Sequence, residues 1–182
     1  PKDCRLTEFT LEGISNIQGD FQCIDYFYVK EFVMPFIRVA GDMTIALNSG
    51  SVNTAAEIEF PKLQEIGGTL TLGTNRNANN ITFPLLKKIL GSCSVTTYKL
   101  KNDIEFTNLE SIGTDGADAQ IKFEIEATNI LCPKLKTING KFDIATSSFM
   151  FDMEVDKVSY PNVESISENL SITCPYSDFG SN

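Results

Sequence analysis

Apolar and polar residues along this chain follow one phrase: apolar-x-[Phe/Tyr]-Pro-x-Leu-x-x-Ile-x-Gly-x-apolar-x-apolar. Its clearest copy is Ile58, Phe60, Pro61, Leu63, Ile66, Gly68, Leu70 and Leu72. A second runs Ile81, Phe83, Pro84, Leu86, Ile89, Gly91, Cys93 and Val95. A third runs Ile130, Cys132, Pro133, Leu135, Ile138, Gly140, Phe142 and Ile144. The last, Val158, Tyr160, Pro161, Val163, Ile166, Leu170 and Ile172, carries Glu168 where glycine is expected.

Weaker copies fill the remainder. Phe9, Leu11, Ile14, Ile17, Gly19, Phe21 and Cys23 keep the spacing without the proline. Phe32, Met34, Pro35, Ile37, Val39, Gly41, Met43 and Ile45 match with one residue deleted. Ile104, Phe106, Leu109 and Ile112 match up to an insertion around Gly113–Asp118, after which Ile121 and Phe123 resume the pattern. The anchors at 11, 34, 60, 83, 106, 132 and 160 set a period of 23–28 residues. A repeat of that length is the mark of a solenoid. It predicts an all-β domain of about seven coils.

The residues flanking each anchor alternate with period two, as do those after the glycine, so both stretches predict short strands with one buried face. Proline ends the first strand because it lacks an N–H for the ladder. Leu-x-x-Ile turns the corner with two inward side chains, and glycine is expected to supply a positive φ before the next strand. A single coil cannot bury its apolar row, but stacked coils bury a continuous one. The whole of residues 1–182 reads as one solenoid domain, with repeats from about 9 to 174 and short caps at either end. Tyr26, Phe27 and Tyr28 read either as an exposed contact patch or as a cap over the open N-terminal end, a place where solenoids need cover.

Composition narrows the chemistry. The chain has 182 residues, 42% of them hydrophobic, enough for a real core. It has no histidine, which removes Ser-His-Asp and Cys-His catalysis and the commonest zinc ligand. The net charge of −9 disfavours nucleic acid and anionic membrane surfaces as partners. No apolar run approaches the ~20 residues of a membrane span. Pro1 stands without a preceding Met, so the chain is expected to begin after a processed or trimmed leader. Five cysteines, Cys4, Cys23, Cys93, Cys132 and Cys174, contain no CxxC pair. They read as small core residues, with a Cys4–Cys23 disulfide closing the N-terminal end as the alternative.

The phrases Phe60-Pro61-Lys62-Leu63-Gln64-Glu65-Ile66-Gly67-Gly68 and Tyr160-Pro161-Asn162-Val163-Glu164-Ser165-Ile166 resemble the receptor L domain. That family is a leucine-rich-repeat-like, right-handed β-helix found in animal growth-factor and insulin receptors, fungal cell-wall proteins and secreted proteins of gut Bacteroidetes. The resemblance spans roughly residues 6–174. Its repeat residues are structural in the family, so no functional site carries over. The cysteine-rich modules and terminal disulfide pattern of the animal receptors are missing. The resemblance therefore implies a microbial protein, secreted or held at the cell surface, with any lipoprotein or GPI-type anchor outside these residues.

Two candidate binding regions follow. The strand after each glycine has outward residues on a flat face: Asp20 and Gln22, Asp42 and Thr44, Thr69 and Thr71, Ser92 and Ser94, Lys141 and Asp143, Asn169 and Ser171. Lys122 and Glu124 are expected to extend the row in the copy with the insertion. Short polar side chains in rows suit hydrogen bonding to a glycan or a protein strand; a merely solvated sheet face has the same polarity. The second region is the longest loop, 145–155, where Phe149, Met150, Phe151 and Met153 read either as an exposed contact patch or as a further packed strand. Asp115, Gly116 and Asp118 fit either a solvated turn or a calcium loop, though not the EF-hand spacing. Asn80-Ile81-Thr82 and Asn169-Leu170-Ser171 are glycosylation sequons.

No catalytic, cofactor-binding or metal-binding residue is predicted. The leading expectation is a non-catalytic surface or secreted adhesion module with a protein or glycan partner. A structural spacer of the cell envelope is the alternative. A carbohydrate-active β-helix enzyme ranks third, since it needs paired carboxylates or a calcium-linked base, and the basic residues here are few and scattered along the chain.

Overall fold

The computed structural model of the chain describes residues 8–10, 13–25, 31–48, 56–75, 78–98, 104–116, 119–125, 130–146 and 160–173. All regular elements among them are strands, and every strand pairing is parallel. Three sheets run along the stack, so the fold is an all-β parallel solenoid.

The first sheet has six strands, from Glu8–Thr10 through Glu31–Val33, Ala56–Glu59, Ala78–Thr82 and Ile104–Glu105 to Ile130–Leu131. The second has seven very short strands, from Asn16–Ile17 to Ser165–Ile166. The third also has seven, from Phe21–Asp25 through Met43–Asn48, Leu70–Asn75, Cys93–Tyr98, Ala119–Ile125 and Gly140–Thr146 to Leu170–Thr173. Within each sheet, strands distant in sequence are neighbours, because one pass around the coil separates them. The period-two stretches of the sequence thus become the first and third sheets. The second sheet is the corner that Leu-x-x-Ile turns.

Inward positions repeat as columns. Val39, Ile66, Ile89, Ile112 and Ile138 are in register and fully buried. Three residues earlier the column reads Phe36, Leu63, Leu86, Leu109 and Leu135, all buried. Phe36, rather than the expected Ile37, takes that slot, and Ile37 is exposed. The one-residue deletion lies in the turn, so spacing is kept with Val39 downstream and not with Met34 upstream.

Aromatic rings form a spine. Phe60 stacks on Phe83 with centroids 5.0 Å apart and planes 1° from parallel, and Phe83 on Phe106 at 5.0 Å and 9°. Phe36 and Phe21 extend the spine toward the N-terminus, 5.8 and 6.3 Å from Phe60 and 5.0 Å from each other. Cys132 interrupts this column. Into the room it leaves, Phe123 reaches across an entire coil to Tyr160, with ring centroids 5.9 Å apart, and Phe142 meets both rings.

The repeat glycines have a different cause from the one expected. Gly41, Gly68 and Gly91 are not among the positive-φ residues. They stack directly on one another, Gly68 donating its N–H to Gly41 and Gly91 to Gly68 at 2.9 and 3.0 Å. A Cβ on Gly68 would lie 2.8 Å from the Gly41 carbonyl carbon, and one on Gly91 2.7 Å from that of Gly68. Close approach of successive coils therefore selects glycine here. Gly140 combines both demands, with φ at +148° and the Ala119 backbone against its open side.

The C-terminal coil leaves Leu170 and Ile172 well exposed, 53% and 64%. The proposed cap residues Tyr26, Phe27 and Tyr28, the loop residues Phe149, Met150, Phe151 and Met153, and Cys4 of the Cys4–Cys23 pairing lie outside the described residues.

Candidate functional site

The outer face of the third sheet carries two polar rows, both fixed by the parallel register. One row is Asp20, Asp42, Thr69, Ser92, Gln120, Lys141 and Asn169, of which Gln120 and Lys141 lie within strands and the other five stand one residue before them. The other is Gln22, Thr44, Thr71, Ser94, Lys122, Asp143 and Ser171. Adjacent members are separated by the inter-strand distance of about 4.8 Å. Thr69, Ser92 and Lys141 thus stand in one line, and Thr71, Ser94 and Asp143 in the next. In the copy with the insertion, Gln120 and Lys122 fill the two rows. Lys122 and Glu124 had been expected, but Glu124 stands in register with Thr96 and Ala145.

The two rows do different work. In the first, side-chain oxygens hold the next coil. Asp20 Oδ1 accepts the Asp42 N–H at 2.9 Å, Asp42 Oδ1 accepts that of Thr69 at 2.7 Å, and Ser92 Oγ accepts that of Gln120 at 3.0 Å. These bonds satisfy amides at the start of each strand, where the backbone ladder is incomplete. Lys141 Nζ lies 3.9 Å from the Glu168 carboxylate in the same row's last coil, a long contact between half-exposed groups. In the second row Gln22, Thr71, Lys122 and Ser171 are exposed, while Thr44, Ser94 and Asp143 are half-buried. That row presents hydroxyls and amides at regular intervals, with Lys122 beside Asp143 as its only charges.

A separate groove of about 370 Å³ lies where the first sheet meets the proline turns. It is lined by Glu105, Thr107, Leu131, Cys132, Pro133 and Pro161. Among the described residues Glu105 is the one carboxylate on that lining. Burial pushes the Cys132 thiol well above its ordinary range, and Cys93 likewise, which keeps both protonated and poorly nucleophilic. The Tyr160 hydroxyl is buried near them, with its pKa raised by desolvation first and by those thiols second. It finds no hydrogen-bond partner among the described residues.

Of the calcium candidates, Asp115 and Gly116 lie in an exposed turn, with Gly116 at φ +76°, and Asp118 lies outside the described residues. No cluster of three potential metal ligands occurs among the described residues. In the sequon at Asn169, both Asn169 and Ser171 are exposed. No helix of the described residues is long and apolar enough to cross a membrane.

Comparison with known proteins returns no matching family model, curated protein or solved structure, so the reading of function rests on this chain's own geometry.

Proposed function

We propose that this chain is a non-catalytic binding module, secreted or displayed at a cell surface, that presents the third sheet to a glycan or protein partner. The observation that carries the reading is the row Gln22, Thr44, Thr71, Ser94, Lys122, Asp143 and Ser171, held in strict register on a flat sheet. A fully packed interior fixes the spacing of that row, so a ligand with repeating polar groups meets donors and acceptors already in place. We further read the solenoid as right-handed, of about seven coils and of the receptor L-domain type, supported by the phrase around Phe60 to Gly68 and by two sheets of seven strands.

A spacer role in a cell envelope is the second reading. It is favoured by the Asp20, Asp42 and Ser92 bonds, which commit three side chains of the first polar row to cohesion between coils. The test is binding of the purified chain to an array of glycans and extracellular-matrix proteins. Saturable binding abolished by Thr71→Ala with Ser94→Ala supports recognition through this row. No binding above background favours the spacer.

A further inference from the structure

We propose that the corner formed by the proline turns and the second sheet is a docking stripe for a linear anionic polysaccharide. Basic residues are scattered in the sequence, but the coil period collects them. Of the cationic side chains among the described residues, only Lys122 and Lys141 lie on the third sheet. Arg38, Lys62, Lys87, Lys88, Lys134 and Lys136 all lie on this corner, and all six are exposed.

Backbone bonds define the layout. Lys87 donates its N–H to Gln64, Glu110 to Lys87, and Lys136 to Glu110, which puts Lys87 and Lys136 in one column. Lys88 is in register with Glu65, whose carboxylate is already held by Arg38 at 2.8 Å. Lys62 and Lys134 stand on equivalent proline turns beside these columns. Lys134 reaches the Asn108 side chain at 2.6 Å, and Lys136 lies 3.8 Å from Glu164. Lys62, Lys87 and Lys88 make no side-chain bond to another described residue, and they sit on adjacent coils. With Glu65, Glu110 and Glu164 as its carboxylates among the described residues, the corner is positive on a chain whose net charge is −9.

The shape of the stripe selects the partner. It is about three residues wide, roughly 10 Å at ~3.3 Å per residue. It runs along the stack in steps of about 4.8 Å, of the same order as the advance per sugar in an extended glycan. Carboxylate or sulfate groups on such a chain meet Lys62 and the Lys87–Lys88 pair on adjacent coils, then Lys134 and Lys136 beyond one intervening coil that carries Glu110 and no cation. A bilayer or nucleic acid presents a broader anionic surface. That surface would also meet Glu57, Glu59 and Glu105 on the neighbouring first sheet, which repel it. The stripe is independent of the third-sheet row, and variants separate the two.

The experiment is retention of the purified chain on immobilised heparin and polygalacturonate, with a neutral dextran matrix as control. Retention on the anionic matrices is expected at low ionic strength. It should disappear as the screening length falls from about 30 Å to about 3 Å. The triple variant Lys62→Gln, Lys87→Gln, Lys88→Gln is expected to bind at least about tenfold more weakly. Thr71→Ala with Ser94→Ala should bind like the parent. Circular dichroism melting verifies that each variant is folded. The proposal is overturned if the parent is not retained or if the triple variant is retained equally. It is also overturned if phosphatidylserine vesicles or single-stranded DNA bind more tightly than either glycan.

Discussion

The Oδ1 atom of Asp42 accepts the backbone N–H of Thr69 at 2.7 Å, so a side chain of one coil completes the hydrogen bonding of the next. Asp42→Ala removes that acceptor and should lower stability by about 1 kcal/mol. Asp42→Asn keeps an oxygen in place and should lose less. Urea unfolding of the two variants checks the difference. Equal losses would mean that the carboxylate, and not the bond, matters.

Gly68→Ala and Gly73→Ala separate close approach from backbone entropy. A methyl at Gly68 meets the backbone of Gly41, whereas one at Gly73 meets nothing within 4 Å. Overpacking against backbone should cost the first variant about 1–3 kcal/mol. The second should stay within about 1 kcal/mol of the parent. Thermal denaturation of both gives the answer, and similar melting temperatures would refute the stacking account.

Cys132 is small because Phe123 and Tyr160 meet across its coil. Cys132→Phe restores the apparent consensus of the column yet should destabilise the protein by about 1–3 kcal/mol. Adding Phe123→Val, which copies Val95 in the same column, should recover part of that loss. Such a rescue in a double-mutant cycle is the expected coupling.

The buried thiols fix the direction of the alkaline limb. Desolvation raises the folded-state pKa of Cys93 and Cys132 above the ordinary value of 9.0, so the folded protein keeps these protons when the unfolded chain releases them. Stability should be unaffected by these groups below about pH 9 and should fall above it. Tyr160 acts in the same sense from 10.0 upward. Denaturant midpoints measured from pH 7 to 10 test this. Replacing both cysteines with alanine should flatten the slope. In the native protein neither thiol should react with a disulfide reagent at neutral pH, and both should react after unfolding.

Much of the architecture is legible because burial leaves a periodic trace. The Ile66 and Leu63 columns follow directly from the repeated phrase, as does the strand after each glycine. Three features are less direct. Counting from Met34 makes Ile37 the partner of Leu63, but counting back from Val39 identifies Phe36. The glycine column looks like turn chemistry until the coils are stacked, since contact between Gly68 and Gly41 is a property of neighbours 27 positions apart. The insertion at 113–118 hides the register of Gln120 and Lys122, which pairing with Ser94 on one side and with Lys141 and Asp143 on the other fixes. The basic corner was invisible for a related reason. Lys62, Lys87 and Lys134 are each more than a turn of the coil apart, so no local window contains them together.

Phe60, Phe83 and Phe106 meet at the same 5.0 Å separation, their planes nearly parallel each time. A ring that greets its neighbour identically at every step makes these coils interchangeable parts. Excising or duplicating the stretch from one ring to the next presents each ring with a surface it already fits. Length then becomes a trait adjustable in increments of about 4.8 Å. A lineage carrying this chain could lengthen or shorten its reach by recombination within the gene, without redesigning the interior.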